Sequence, residues 1–256
     1  MKRIYCTFGG KAYDSTLEHV AKYALDYGVD EVRIYDDRWL LSTTFYQLNK
    51  WLFEREPQAG FGWYVWKAFI VLQEFKRLND GDIVLYVDAD TYPIANLSIL
   101  FEFARRDGIV LFEAQGCGNN RFTRSDCWFA MGQKMPALID TQHGCGRFQL
   151  FRVGDWRAEQ FLMEWLVYML NPNCQGHEGS KTLKDHENFA RHSADQSVLT
   201  LLGLKYGIPF HREACQYGFP VQPNCGLPED TYEQLFHQVW CEGDRSDTSG
   251  SRFRNV

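Results

Sequence analysis

One segment constrains this chain more than any other: Gly81-Asp82-Ile83-Val84-Leu85-Tyr86-Val87-Asp88-Ala89-Asp90, an apolar run that stops abruptly at two carboxylates. Five apolar or aromatic residues bounded by Asn79-Asp80-Gly81 predict a strand buried on both faces. Strand residues i and i+2 share a face, so Asp88 and Asp90 are expected to point the same way. Like charges that close raise each other's pKa unless a cation lies between them. A hard divalent ion with oxygen ligands relieves that conflict. The competing reading is turn chemistry, because Asp caps helices and favours tight turns. The tripeptide alone does not choose.

Around this strand the first half of the chain alternates. Ile4–Thr7 reads as a strand, and Ser15-Thr16-Leu17-Glu18 as a capping box opening a helix to about Tyr27. Glu31–Tyr35 reads as a second strand, ending in Asp36-Asp37. A helix from about Tyr64 to Leu78 precedes the Asp88 strand, and one near Leu97–Arg106 precedes an apolar run through Glu113. This alternation predicts βαβ units and a mostly parallel sheet flanked by helices. The second half is less regular. Arg121–Gly132 reads as a loop with a short helix, and Arg147–Arg152 as a strand. Asp155–Leu170 is an amphipathic helix anchored by Trp156, Phe161, Trp165 and Tyr168. Asn171–Glu187 is a long surface loop, Asp195–Tyr206 a final helix, and Gly243–Val256 has the composition of a flexible tail.

Composition narrows the function. A length of 256 residues suits one large domain, and 45% hydrophobic with 16% aromatic content is ample for a core. A net charge of −6 without a Lys/Arg cluster argues against nucleic acid. No apolar run approaches the roughly 20 residues that span a bilayer, and the N-terminus turns polar too soon for a signal peptide. The eight cysteines include no Cys-x-x-Cys pair and are expected to be reduced thiols. Cys174 and His177 have zinc-like spacing, but without a second such pair a structural zinc is not expected.

Three further blocks carry chemistry. Gly60-Phe61-Gly62-Trp63-Tyr64-Val65-Trp66-Lys67 places a lysine in the first turns of the helix before the Asp88 strand. Thr141 through Arg152 is a small-residue turn running into a strand, where glycine permits close backbone approach to a ligand or simply a bend. Arg191-His192-Ser193-Ala194-Asp195-Gln196-Ser197 reads as a capping box, Ser193 with Gln196, with Asp195 in the first turn. Taken in order, Trp63–Lys67, Gly81–Asp90, Thr123-Arg124-Ser125-Asp126, Gln142–Phe151 and Arg191–Ser197 resemble the GT-A type nucleotide-sugar glycosyltransferases. The resemblance is nearest to bacterial and viral enzymes of polysaccharide and glycan assembly, and it covers roughly Lys2 to Gly218. Three departures stand out. Thr-Arg-Ser-Asp lacks a usual lysine, Gly144-Cys145-Gly146 replaces an Ala-Gly pair, and Ser193-Ala194 separates His192 from Asp195.

The resemblance implies a GT-A fold over 1–242, with a nucleotide-binding half (1–115), a sugar and acceptor half (116–242) and a tail (243–256). It implies a Mn²⁺- or Mg²⁺-dependent glycosyltransferase using a nucleotide-diphosphate sugar, uridine diphosphate being the prior carrier, and a glycan or saccharide acceptor. Asp88 and Asp90 would hold the metal, Asp90 directly and Asp88 through water, unless Asp88 holds the nucleotide ribose instead. Thr7, Phe8 and Gly9, ending the first strand, and Asp36 and Asp37, ending the second, would line the nucleotide side, together with Ala89. Lys67 would contact the diphosphate or the donor sugar. Asp126, Gln142, Gly146 and Gln196 would contribute to the donor-sugar pocket. Asp195 would be the general base of an inverting transfer, or would hold the sugar in a retaining one; inversion is favoured. A third metal ligand is often a downstream histidine in related enzymes, and His192, His211 and His237 have the position for it. A cytoplasmic location is expected, the host cytoplasm for a viral chain. The rival readings are a nucleotidyltransferase, to which Thr7-Phe8-Gly9-Gly10-Lys11-Ala12 is a partial match, and a non-catalytic carbohydrate-binding protein.

Overall fold

The computed structural model describes residues 1–10, 13–55, 60–133, 141–216 and 226–239. Nine strands are found among them: β1 (Arg3–Phe8), β2 (Glu31–Tyr35), β3 (Ile83–Val87), β4 (Thr91–Pro93), β5 (Ile109–Gly118), β6 (Gln142–Gly144), β7 (Phe148–Arg152), β8 (Phe210–His211) and β9 (Phe236–Gln238). Seven form one sheet in the order β2-β1-β3-β7-β5-β6, with β8 on β5, and β4 pairs with β9 in a separate ribbon. β1 runs parallel to both β2 and β3, whereas β7 runs antiparallel to β3 and to β5. β6 opposes β5 and β8 follows it. Only β7 and β6 are therefore reversed. The expected α/β class with a mostly parallel sheet is what the chain forms.

β3 is the centre, and its five residues are each 0% exposed. Alternation divides them between two cores. Val84 and Tyr86 join Cys6 and Phe8 on one face, under the helices Trp66–Phe75, Trp156–Met169 and Ala194–Lys205. Ile83, Leu85 and Val87 join Tyr5 on the other, under the helix Ser98–Asp107. Each fully buried aliphatic or aromatic side chain stabilises such a core by roughly 1.5–3 kcal/mol. The next even position after Tyr86 is Asp88, so strand parity points it towards the Trp66–Phe75 face.

Several expectations shift. The first helix begins at Asp14, and its cap residue Tyr13 makes no side-chain cap bond, so Ser15 lies inside the helix rather than capping it. Ser193 likewise makes no side-chain cap; its own N–H donates to the Ser197 hydroxyl at 3.2 Å. The helix expected from Tyr64 starts at Trp66, because Phe61, Gly62, Trp63 and Tyr64 all have positive φ. On the Trp156–Met169 helix Phe161 and Trp165 are buried anchors, but Trp156 is 70% exposed. It sits at the first turn, beyond the edge of the packed face. The segment 171–187 is loop apart from one short turn, Pro172–Cys174, as expected. The tail 243–256 lies outside the described residues.

Candidate active site

β3 ends at Val87, where the chain turns. The Asp88 N–H donates to the Arg147 carbonyl at 2.7 Å, and Thr91 N–H returns to the Asp88 carbonyl at 3.0 Å. The turn reading of Asp-x-Asp is thus correct about the backbone. It does not displace the other reading, because both carboxylates border one cavity. Asp88 Oδ1 accepts from the Tyr86 hydroxyl at 3.0 Å and lies 2.9 Å from Lys67 Nζ. Asp90 Oδ1 accepts from the Thr91 hydroxyl at 2.9 Å, and Oδ2 from the Gln238 side-chain amide at 2.8 Å.

Lys67 is the hub. The left-handed run before its helix costs backbone strain of order 1–3 kcal/mol per residue, and it leads into a helix whose second residue is this buried lysine. Its ammonium lies 2.9 Å from Asp88 Oδ1 and 2.8 Å from Asp195 Oδ2, and donates to the Gly146 carbonyl at 2.9 Å. The ammonium is thus surrounded by two carboxylates and a carbonyl. Burial works against the lysine's charge, but the carboxylates of Asp195 and Asp88 more than restore it. Burial pushes Asp88 up to about 6 against the pull of Lys67, with Asp90 and Asp195 adding to the rise. Asp195 is also raised by burial, with Lys67 opposing.

Small residues let these groups meet. A Cβ on Gly146 would lie 3.4 Å from Asp195 Oδ2 and 3.4 Å from Gln196 Cβ. One on Gly9 would lie 2.6 Å from Ala89 Cβ, so the end of β1 packs on the Asp88–Thr91 turn only because Gly9 has no side chain. Ala194, next to Asp195, has φ 40°, a strained conformation for a residue with a Cβ.

Two chambers meet at Asp88. The larger, about 510 Å³, is walled by the rings of Phe8, Tyr13, Phe61, Tyr64 and Trp66, with Gly9, Gly10, Asp37 and Asp88 through Asp90. Phe8 stacks on Trp66 with centroids 4.1 Å apart. The smaller, about 230 Å³, is walled by ionised and polar groups, among them Lys67, Arg147, Arg191, Asp195, Gln196, Glu213 and Gln238. Arg147 pairs with Glu213 there. Tyr64 and Asp88 belong to both walls.

Of the residues singled out from sequence, Phe8, Gly9, Asp37, Lys67, Asp88, Ala89, Asp90, Gly146, Asp195 and Gln196 come together around these chambers. Four do not. Thr7 is buried within β1 and borders neither chamber. Asp36 caps the helix Asp37–Leu41, accepting from Trp39 N–H at 2.8 Å. Asp126 holds a loop instead of a sugar: it accepts from the N–H groups of Lys181 (2.7 Å), Thr182 (3.2 Å) and Leu183 (3.0 Å) and from the Thr182 hydroxyl (2.6 Å). Burial would raise its pKa, but those bonds hold it below the usual range. Gln142 is exposed on β6. Tyr64, Tyr86, Arg147, Glu213 and Gln238 were not singled out. Tyr86 had a signal, being two residues before Asp88 on the same strand face.

The histidines considered for a third metal position are used otherwise. His192 Nε2 donates to the Cys174 carbonyl at 3.0 Å, and its Nδ1 faces the Arg124 N–H at 3.4 Å. His211 pairs with Asp230 at 2.6 Å. The His237 ring lies against Tyr92, 5.3 Å between centroids. Among the described residues no three His, Cys, Asp or Glu side chains cluster as a self-sufficient metal cage. Mg²⁺ or Mn²⁺ needs none, since one or two carboxylates with phosphate and water oxygens suffice. Asp88 and Asp90 share a chamber, and the charge of Asp90 helps lift Asp88. That crowding is what a divalent cation relieves, so the pair fits one.

No family model matches the sequence, and no curated protein is similar to it. Among solved structures the chain is similar to mouse xyloside xylosyltransferase 1 in its apo form, at 11% identity and TM-score 0.44 over 94% of this chain and 98% of that one. It is similar to the glycosyltransferase GlyE of Streptococcus pneumoniae TIGR4, at 14% identity and TM-score 0.43, spanning 94% of this chain and 55% of that protein. It is also similar to the galactosyltransferase LgtC in complex with donor and acceptor sugar analogues, at 13% identity and TM-score 0.49 over 92% of this chain and 86% of that one. No helix of the described residues is long and apolar enough to cross a membrane.

Proposed function

We propose that the chain is a GT-A type glycosyltransferase, dependent on Mn²⁺ or Mg²⁺, that moves a sugar from a nucleotide-diphosphate donor to a hydroxyl of a glycan or saccharide. One observation carries this reading: Asp88 stands in the wall shared by an aromatic chamber of about 510 Å³ and a charged one of about 230 Å³. The first is suited to a nucleotide, whose base stacks on rings. The second is suited to one sugar ring with its hydroxyls. The bond between sugar and diphosphate would then lie beside Asp88.

In this reading Asp88 and Asp90 hold the cation. When bound, it would neutralise the diphosphate leaving group as a Lewis acid. Lys67, with its donors already engaged, fixes Asp88 and Asp195 relative to each other, in place of the diphosphate contact expected from sequence. Asp195 takes the proton of the acceptor hydroxyl. Burial, against the pull of Lys67, raises its proton affinity above that of an ordinary carboxylate, which makes it a stronger base. The product of such a transfer has the inverted anomeric configuration. The charged groups around Asp195, Arg147 and Glu213 suit a polar, hydroxyl-bearing acceptor.

A thermal-shift panel of nucleotide sugars with and without Mn²⁺ tests the reading, because a ligand that binds only the folded state raises its melting temperature. Stabilisation by one donor that requires Mn²⁺ is expected. In Asp90→Asn that requirement should disappear together with turnover; metal-dependent turnover unchanged in this variant would refute the cation assignment.

A further inference from the structure

The arrangement at Asp90 includes a group that the two-carboxylate reading leaves unused. Gln238 ends β9 and stands opposite Thr91 in the β4–β9 register. Its side-chain N–H donates to Asp90 Oδ2, while its side-chain oxygen is buried with no hydrogen-bond partner among the described residues. The residue is 7% exposed and borders the charged chamber beside Lys67 and Asp88. A buried amide oxygen without a partner costs about 1–3 kcal/mol. An ordered water or a bound ion is among the partners that satisfy a group left so.

The backbone gives Gln238 little freedom. Gln216 grips it on both sides, its amide N–H donating to the Gln238 carbonyl at 2.7 Å and its oxygen accepting from the Gln238 N–H at 2.9 Å. The next residue, Val239, donates its N–H to the Asp90 carbonyl at 2.6 Å. Strand alternation turns His237 to the other side, against Tyr92. Gln238, and not the neighbouring histidine, is the residue that β9 delivers to Asp90.

We propose that Gln238 is the third protein group of the cation site, its amide oxygen coordinating the ion held by Asp88 and Asp90 while its amide nitrogen keeps Asp90 in place. A neutral amide oxygen is a hard ligand suited to Mn²⁺ or Mg²⁺. It completes a donor set without adding negative charge to a site where Asp88, Asp90 and Asp195 already crowd. The inference rests on the cation reading of the Asp88–Asp90 pair.

The test is Mn²⁺ binding to the full chain, followed by the loss of the free-ion electron paramagnetic resonance signal, for wild type, Asp90→Asn, Gln238→Ala and Gln238→Glu. Gln238→Ala should weaken Mn²⁺ binding at least tenfold. Gln238→Glu separates ligation from mere support of Asp90: a carboxylate can coordinate but cannot donate to Asp90. Wild-type affinity or better in Gln238→Glu is therefore expected. Affinity in Gln238→Glu below that of Gln238→Ala, or Gln238→Ala within twofold of wild type, overturns the assignment. If those results come with lost binding in Asp90→Asn, the two-carboxylate reading stands and only Gln238 falls. Wild-type protein that binds no Mn²⁺ refutes both. Should Gln238→Ala not fold, the Gln238→Glu comparison with wild type still decides.

Discussion

The two chambers that meet at Asp88 are built differently. The larger sets five aromatic rings against the carboxylates of Asp37, Asp88 and Asp90, with no basic side chain of the described residues in its wall, so a ligand there gains from stacking and meets unbalanced negative charge. In the smaller, the protein's own charges already face one another: Lys67 with Asp88 and Asp195, Arg147 with Glu213. Such a site is preorganised, and little rearrangement accompanies charge development within it. The difference teaches that loss of one group should act locally in the ring-walled chamber and collectively in the charged one.

Lys67→Met should break that contrast most severely. It leaves the buried Asp195 unpaired beside the partly exposed Asp88, and unpairing a buried ion costs about 3–5 kcal/mol. Urea unfolding should show a loss of that order together with loss of transfer; a variant as stable as wild type would mean the hub is not electrostatic. Asp195→Asn should keep the fold and lower kcat by roughly 10²–10⁴ at saturating donor, the usual contribution of a general base. Retention of the donor's anomeric configuration in the wild-type product would remove that role. Trp66→Leu probes the other chamber. Base stacking contributes about 1–3 kcal/mol, so calorimetry should show binding of uridine diphosphate weakened by roughly tenfold or more, with kcat little changed. An unaltered Kd would show that the rings do not hold the base.

The smallest effect concerns acid. Burial first, then the Arg124 charge, pushes His192 down to about 3, and burial pushes His143 down to about 3. Both imidazoles are neutral in the folded protein, while the unfolded chain takes up protons near the ordinary pKa of about 6.5. The stability they confer is thus complete above that pH and is lost as pH falls towards 3. The slope is at most about 1.4 kcal/mol per pH unit for each ring. His192→Gln should flatten the dependence of unfolding free energy on pH between about 6.5 and 4.5; an equally steep curve would exclude His192 as a source.

Residues whose role depends on local pattern were the legible ones. The β3 run, the Lys67 helix and the Asp195 helix could be placed because burial on two faces and helical periodicity are written in neighbouring residues. The same logic misled at Asp126. A first-turn carboxylate in a motif-like block looks identical in sequence whether it meets a sugar or the N–H groups of Lys181, Thr182 and Leu183, some 55 residues away. Asp36 shows the milder form, a strand-end carboxylate taken up by its own helix cap. Glu213 and Gln238 had no local signal at all, because only tertiary pairing brings them to Arg147 and Asp90. The left-handed run at Phe61–Tyr64 escaped for a related reason: three of its four residues carry side chains that disfavour it, and packing overrides their preference.

Asp90 and the Gln238 amide that holds it are 148 residues apart. At about 5–20 residues made per second, the turn bearing Asp90 exists for roughly 7–30 s before its clamp has been synthesised. During that interval β1, β2 and β3 can already pair, but the Asp90 carboxylate lacks the partner that orients it. Every newly made copy therefore passes through a stage in which β1, β2 and β3 can stand assembled beside an unfinished corner at Asp90, and that corner is completed only when β9 arrives.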